Sequence, residues 1–311
     1  MKRKGFIFPI VLFFIMLMFI GISFGFLILD STILSSKGEN ISDKVTLESL
    51  LRTQFAGKNT VSLEKEILTI VLEKNYNGTY PYEPSFIMEP FPVKGTLFLW
   101  KDDTKGILKL ETKEYEMESL FSFWFPEINN DEPYLIFQDI SDEFKSRWME
   151  TREDPIIVPS NMENIILEIP KDKEIVLKQN GGSLDLYEVL WDEEENSFRE
   201  VLSQRIKNGL IYIHNQGNLT MEGNVKIKGG VINKGFLKII DEFFVEGIWW
   251  ELGNSTGNSR VKGKVFLEGK SFSGDVQYDF LSLFRYGRYV SVLYHLEPIS
   301  FKVTPHDYFS Q

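Results

Sequence analysis

The chain has 311 residues, 43% of them hydrophobic and 14% aromatic, with a formal charge of −11 and no cysteine. That charge works against nucleic-acid binding, which runs on Lys and Arg contacts to phosphate. The missing thiols exclude disulfides, thiolate catalysis, cysteine zinc sites and iron–sulfur clusters. Phe (26) and Tyr (12) are abundant, which favours strands and a mainly β fold.

Residues 6–29 read FIFPIVLFFIMLMFIGISFGFLIL, with no charge and nothing more polar than Ser23. At about 1.5 Å of rise per residue this run makes a helix of roughly 36 Å, enough to cross a hydrocarbon core about 30 Å thick. Lys2, Arg3 and Lys4 precede it and Asp30 follows it. Positive residues stay on the cytoplasmic side, so the expected topology is a single span with the N-terminus inside and the body outside the cytoplasmic membrane. The competing reading, a secretory signal peptide, expects an apolar core of about 7–15 residues ending at a small-residue cleavage site. Ile28 to Thr32 offers no such site. Outside the first 29 residues the charge is −14, which favours solubility and works against adhesion to anionic lipid.

The stretch Lys2-Arg3-Lys4-Gly5-Phe6, leading into a long apolar helix, resembles the leader of type IV prepilins and type II secretion pseudopilins. The resemblance implies that a prepilin peptidase cuts between Gly5 and Phe6. The helix would then stay in the lipid bilayer until it is drawn into a filament with other pilin-like subunits. Pro9 fits a cut at that point. Inside a helix proline clashes with the carbonyl four residues back, here Gly5, and lacks a donor. After the cut, Pro9 sits among the first four N–H positions, which have no intrahelical partner anyway. The sequence departs from the family at Ile10, where the fifth residue after the cut is usually Glu. Tip-type minor pseudopilins also lack that Glu. A plain single-span anchor is the alternative.

Further along, Asp30 to Lys44 is polar and broken by Gly38, which reads as a linker. Val45–Phe55 and Ser62–Lys74 are expected helices. In the second, Leu63, Ile67, Ile70 and Val71 repeat at helical spacing. Residues 76–92 are Pro-rich and extended. Lys94–Trp100 and Gly106–Thr112 form an expected hairpin. Short helices are expected near Tyr115–Trp124 and Ser141–Glu150. Ile156–Val158, Ile165–Ile169 and Leu184–Trp191 read as strands, the last ending at the acidic turn Asp192–Glu195.

From Gly209 onward glycines fall at 217, 223, 229 and 235, and six-residue spacing returns at 247–253 and 257–263–269. Short alternating blocks ended by glycine suggest a β-solenoid whose rungs bury Leu, Val and Ile. A β-meander with glycine turns is the alternative. The G-N-L-T-x-x-G-N-V texture is similar to bactofilin-like repeats and to β-repeat bodies on some prepilin-like proteins. Val276–Asp279 and Leu281–Tyr289 resemble the closing strand and short helix of such bodies.

The expected organisation is therefore a leader (1–5), a transmembrane helix (6–29), a polar linker and helical stalk (30–75), an α+β region (76–205) and a β-solenoid-like domain with a closing segment (206–311). No hydrolase elbow, phosphate loop or metal-ligand spacing appears, so no enzyme activity, cofactor or metal is expected. An enzyme on a β-helix would need a groove of clustered charged side chains. His214, His295 and His306 lie far apart. Trp249 and Trp250 could present a partner- or carbohydrate-binding face, although strand aromatics more often pack as core. The four N-x-S/T sequons, at Asn40, Asn77, Asn218 and Asn254, matter only in a glycosylating host. The expected function is that of a minor prepilin-like structural component, with a permanently anchored adhesion module as the second reading.

Overall fold

The protein was analysed as a computed structural model that describes residues 41–73, 78–83, 93–100, 103–112, 115–151, 156–157, 166–207, 209–269 and 271–305, together with Met18. The predicted span Phe6–Leu29 lies outside this set apart from Met18, as do the leader and residues 30–40. No helix among the described residues is long and apolar enough to cross a membrane. The fold is mainly β, with a solenoid-like stack in its C-terminal part.

The first layer is an antiparallel sheet. β1 (Gly78–Tyr82), β2 (Lys94–Leu99), β3 (Lys105–Glu111), β4 (Tyr115–Trp124) and β16 (Tyr294–Pro305) lie in the order β1-β2-β3-β4-β16. The expected β2–β3 hairpin is present, with Leu99 opposite Gly106. Helices α1 (Ile41–Gln54) and α2 (Gly57–Glu73) pack on β4 and β16. The α2 stripe Leu63, Ile67, Ile70 and Val71 is fully buried, as its spacing predicts. Phe55, just after α1, lies 5.9 Å from the rings of both Phe121 and Phe301, and the Arg52 guanidinium sits 4.4 Å over Phe301.

The expectation of a helix at Tyr115–Trp124 is corrected: the segment is β4. Its first half alternates buried and half-buried residues, the period of a strand, and its last four residues are all buried. That end enters the junction with the second layer, where both of its sides are covered. The helix expected near Ser141–Glu150 is present as α3 (Asp142–Thr151).

The second layer is the solenoid. β10 (Leu210–Asn215), β11 (Asn218–Glu222), β12 (Asn224–Asn233), β13 (Phe236–Glu251) and β14 (Asn254–Leu267) wind in parallel register. Leu210 faces Lys228, Asn218 faces Phe236 and Asn224 faces Glu242, a step of 18 each time. Three six-residue sides therefore make one coil. The parallel pairing excludes the meander, whose neighbouring strands would run antiparallel. The last coil is shorter, since Glu242 faces Asn258, a step of 16.

The solenoid begins earlier than the predicted boundary at residue 206. β6 (Ile166–Ile169) pairs in parallel with β10, and β7 (Glu174–Asn180) with β11, so these two strands supply the first coil. Its corner is formed around Pro170–Lys173 rather than a glycine, which removes the six-residue signal there. The chain also leaves the solenoid before its end, because β16 returns to the antiparallel sheet beside β4. Before that, β15 (Gly274–Gln277) and α4 (Phe280–Gly287) supply the closing strand and helix that were expected.

Inside the coils, Leu167, Ile213, Val231, Trp249 and Val265 share one core with Leu219, Leu237, Val225, Phe243 and Val261. Polar side chains also stack inside. Asn215 donates to Asn233 at 2.8 Å, Asn233 donates to Glu251 at 2.7 Å, and Trp249 Nε1 donates to Glu251 at 3.0 Å. Asn215 and Asn233 also donate to the carbonyls of Phe236 and Asn254. Each buried amide thus finds acceptors one coil on, as burial requires. Burial pushes the Glu251 carboxyl up, against hydrogen bonds from Trp249 and Asn233 that favour its charged form.

One solenoid side is sealed by the first layer. Its outward residues Tyr212, Ile232, Ile248, Trp250 and Phe266 join the core of the antiparallel sheet. Trp148 of α3 meets Trp250 edge-on at 4.4 Å, and Phe266 lies 5.8 Å away. Lys264, with no exposed surface, donates to the carbonyls of Glu127 (3.2 Å), Ile128 (3.0 Å) and Asn130 (3.1 Å) and to the Asn130 side chain. It thereby closes the open end of the 3₁₀ turn Pro126–Asn129. The next strand, β5 (Tyr134–Ile136), then pairs with β14 and extends the sealed side.

Gly235 lies at a corner where one coil passes directly over another. A Cβ there would come within 3.0 Å of the Gly217 carbonyl oxygen, whereas one at Gly182 meets nothing within 4 Å. Gly235→Ala is expected to lower unfolding free energy by about 3 kcal/mol, as forced overpacking does, and Gly182→Ala to change it by less than about 0.5 kcal/mol. Urea denaturation of the two variants checks this, and equal midpoints would contradict the coil geometry.

Candidate interaction surface

The first coil lacks a third side. In its place, after β7, the chain turns at Gly181-Gly182 into an antiparallel hairpin, β8 (Ser183–Asp192) and β9 (Ser197–Lys207). Gly181 has φ +58°, the left-handed conformation that two-residue hairpin turns use. The second turn is held by Asp192, whose carboxylate accepts from the N–H groups of Glu194 (3.0 Å) and Glu195 (3.3 Å). Asn196 follows with φ +48°.

The hairpin's base is part of the fold. Leu184 and Leu186 are buried in the solenoid core. Arg205 grips Asp185 with two hydrogen bonds, at 2.6 and 2.7 Å, and Asn180 adds a third at 2.9 Å. These hold the Asp185 carboxyl down at about 2, Arg205 contributing most. Lys178 reaches both Glu200 (2.7 Å) and Glu222 (2.8 Å), tying β9 to β7 and β11, and Lys173 pairs with Glu188.

The hairpin's tip is different. Trp191 is 51% exposed, Phe198 69% and Leu202 47%. Trp191 is opposite Phe198 and Tyr187 is opposite Leu202, so these four lie on one side of the hairpin. The Trp191 and Phe198 rings meet edge to face at 5.0 Å. β9 ends the strand order of its sheet, with β8 on one side and, among the described residues, no strand on the other.

The other solenoid surfaces are less available. On the charged side Arg260 pairs with Glu242 (3.4 Å), Lys262 with Asp279 (3.1 Å), and Lys226 lies 4.8 Å over Phe244. A cleft of about 260 Å³ opens beside β5, lined by Glu127, Asn130, Glu132, Tyr134 and Asp139. Its Glu127 carboxylate already accepts from the Ser141 N–H at 3.0 Å. Among the described residues no three His, Asp or Glu side chains come together to hold a metal ion.

Gly5 and Phe6, the expected processing site, lie outside the described residues. Trp249 and Trp250 do not form a surface. Trp249 is enclosed in the solenoid and bonded to Glu251, and Trp250 is sealed under Trp148. Adjacent strand residues point to opposite sides, and here both sides are core. His214 is buried and His295 stacks on Phe125 at 4.4 Å, while His306 lies outside the described residues. The exposed aromatics are instead Trp191 and Phe198, on either side of the acidic turn. That turn was legible as a strand end, and the second strand, Ser197–Lys207, is the part that sequence reasoning missed.

No protein-family model, curated protein or solved structure matches the chain. The surface combines a base held by ion pairs, an apolar tip and an edge beyond which no described strand lies.

The Asp185 carboxyl is held below its ordinary value of 3.8, so its contribution to stability is complete above pH 3.8 and is lost as pH falls through about 2. Asp185→Asn removes that dependence. The urea midpoints of the native chain and this variant are expected to converge as pH is lowered across that window. A gap that stays constant would show that the Arg205 pair does not hold the hairpin base.

Proposed function

We propose that the chain is a membrane-anchored structural protein, a minor prepilin-like component of a type IV pilus or secretion pseudopilus, whose β body is carried outside the cytoplasmic membrane. The observation that carries this reading is the connection between stalk and body. α1 begins at Ile41, soon after the apolar run ends at Leu29, and α1 and α2 are packed against β4 and β16. Leu51, Leu63, Ile67 and Val71 are fully buried in that contact. A subunit that is moved by its membrane helix needs such a joint, because force on the helix must reach the body. The basic leader Lys2-Arg3-Lys4 before Gly5-Phe6 supports the same reading. So does the acidic charge outside the first 29 residues, which keeps a body clear of anionic lipid.

In this reading the function is assembly. A prepilin peptidase removes residues 1–5, the helix from Phe6 packs with those of neighbouring subunits by van der Waals contact, and the solenoid is displayed. The second reading is a permanently anchored binding module, which the exposed hairpin tip favours. N-terminal sequencing of the protein extracted from membranes separates the two. A mature chain beginning at Phe6 is the expected result. Retention of Met1 to Gly5 would overturn the prepilin reading and leave the anchored module.

A further inference from the structure

We infer that the β8–β9 hairpin is a self-association edge, through which two copies of this chain join antiparallel across β9 around a two-fold axis. The inference does not depend on the fate of the N-terminal segment.

Three observations meet at this edge. The first is backbone chemistry. β9 is eleven residues long and ends its sheet, and among the described residues no strand pairs with its outer row of N–H and C=O groups, a template for another strand. The second is apolar exposure. Phe198, Leu202 and Trp191 stand on one side of the hairpin around the half-buried Tyr187, and they are among the most exposed large apolar side chains described. A strand added at β9 would bring its own Phe198 and Leu202 to the same side, covering both sets.

The third observation selects the partner and its direction. The hairpin is charge-polar along its length: Asp192, Glu193, Glu194 and Glu195 lie at the tip, where Arg199 pairs with Asp192 (3.2 Å), and Lys207 lies at the base beside the Arg205–Asp185 pair. A parallel neighbour would set four carboxylates beside four carboxylates. An antiparallel copy sets acidic tip against basic base, and the two-fold axis makes that contact twice. With the axis at the middle of the tip half of β9, the acidic turn Asp192–Glu195 of one copy lies toward the Arg205–Lys207 end of the other. A chain of net charge −11 repels its own copies in most orientations, so this local complementarity also fixes which orientation survives.

The edge carries a restraint. Gln204 faces Leu186 while Leu202 faces Tyr187, so Ser203 is an extra residue, a bulge in β9. Bulges interrupt edge pairing. The regular part of the edge is therefore Ser197–Leu202, at the tip half of the hairpin, where the exposed aromatics are. The pairing is short and relies on its side chains, and it places the axis at Glu200, with Phe198 of one copy opposite Leu202 of the other. The joined sheet runs from one solenoid through both hairpins into the other.

The chain has no cysteine, so a single introduced thiol can only form a disulfide between copies. Full-length Glu200→Cys, Val201→Cys and Leu202→Cys variants, purified in detergent, would be oxidised mildly and scored for linked dimer. Asp275→Cys, on the charged side of the solenoid and 77% exposed, is the reference. Residues facing each other across an antiparallel pair have Cα atoms about 4.5–5.5 Å apart, within disulfide reach. The expected result is dimer at one or more of positions 200–202 and little at 275. Association through the N-terminal segment instead would not favour 200–202 over 275.

Lys207→Glu is expected to weaken the dimer about tenfold, since both symmetry-related contacts become repulsive. Combining it with Glu195→Lys should restore the dimer, and Phe198→Ser should weaken it independently of salt. No linked dimer at 200–202, equal linkage at 275, or failure of the charge swap to restore association would each overturn the inference.

Discussion

The whole second layer depends on coils stacking at a fixed step. When residue n lies over residue n+18, each side chain meets the same kind of neighbour above and below, and the backbones at the corners come into direct contact. Gly217, Gly235 and Gly253 form one such column, and Gly229 and Gly247 another, which Gly263 continues across the shorter last coil at a step of 16. In both, a Cβ would collide with the carbonyl of the coil below, so the corners set the spacing and the sides inherit it. The Asn215–Asn233–Glu251 column follows from the same constraint. Amides that repeat at the coil step can bond to one another and to the next coil's backbone, so the interior accepts polar groups that would otherwise cost about 1–3 kcal/mol each. Glu251 ends the column as an acceptor for both Asn233 and Trp249.

That stacking also explains how the two layers hold together. A flat side repeating Tyr212, Ile232, Ile248, Trp250 and Phe266 outward is an apolar wall, and the antiparallel sheet with α3 and α4 closes it. A fully buried indole such as Trp250 contributes about 5 kcal/mol of transfer free energy. The wall carries a buried charge at Lys264, whose chain position continues the column Tyr212–Gly230–Ile248 by register. Burial pulls its ammonium down to about 8, against the nearby charges of Glu132 and Asp131, and four oxygen contacts from residues 127–130 compensate the lost water. Burying a charge in this way is costly unless its donors are satisfied. Its value is positional: a single ammonium fixes where Pro126–Asn129 meets the solenoid.

What the sequence made legible is what these constraints write into residue type. The six-residue glycine spacing is visible because corners of stacked coils exclude side chains. The α2 stripe and the β2–β3 hairpin are visible because their burial has one period throughout. β4 was hidden because its burial changes from alternating to continuous when it enters the layer junction at Phe121–Trp124. The first coil was hidden because Pro170 and Lys173, not glycine, turn its corner. The candidate surface was hidden for a different reason. Trp191, Phe198 and Leu202 have the composition of core residues, and they are surface because no described strand lies beyond β9. Trp249 and Trp250 are the converse, an aromatic pair that a second layer covers.

The three solenoid sides therefore have three different fates. One is sealed by the first layer, one carries paired charges such as Arg260–Glu242 and Lys262–Asp279, and one continues through β7 into the hairpin. The two ends differ as well. At the last coil, β5 and β15 add strands of three and four residues, too short to template a further coil. At the first coil the sheet is extended by β8 and β9, ten and eleven residues long, with the apolar side chains kept at the far edge. A fold that needed only to terminate the stack would have shortened this edge, as it did at the other end. Long strands anchored through Asp185–Arg205 and Lys178–Glu200 make the hairpin a rigid extension of the body. The asymmetry between the two ends is thus the physical reason to look for a partner at β9 rather than elsewhere on the solenoid.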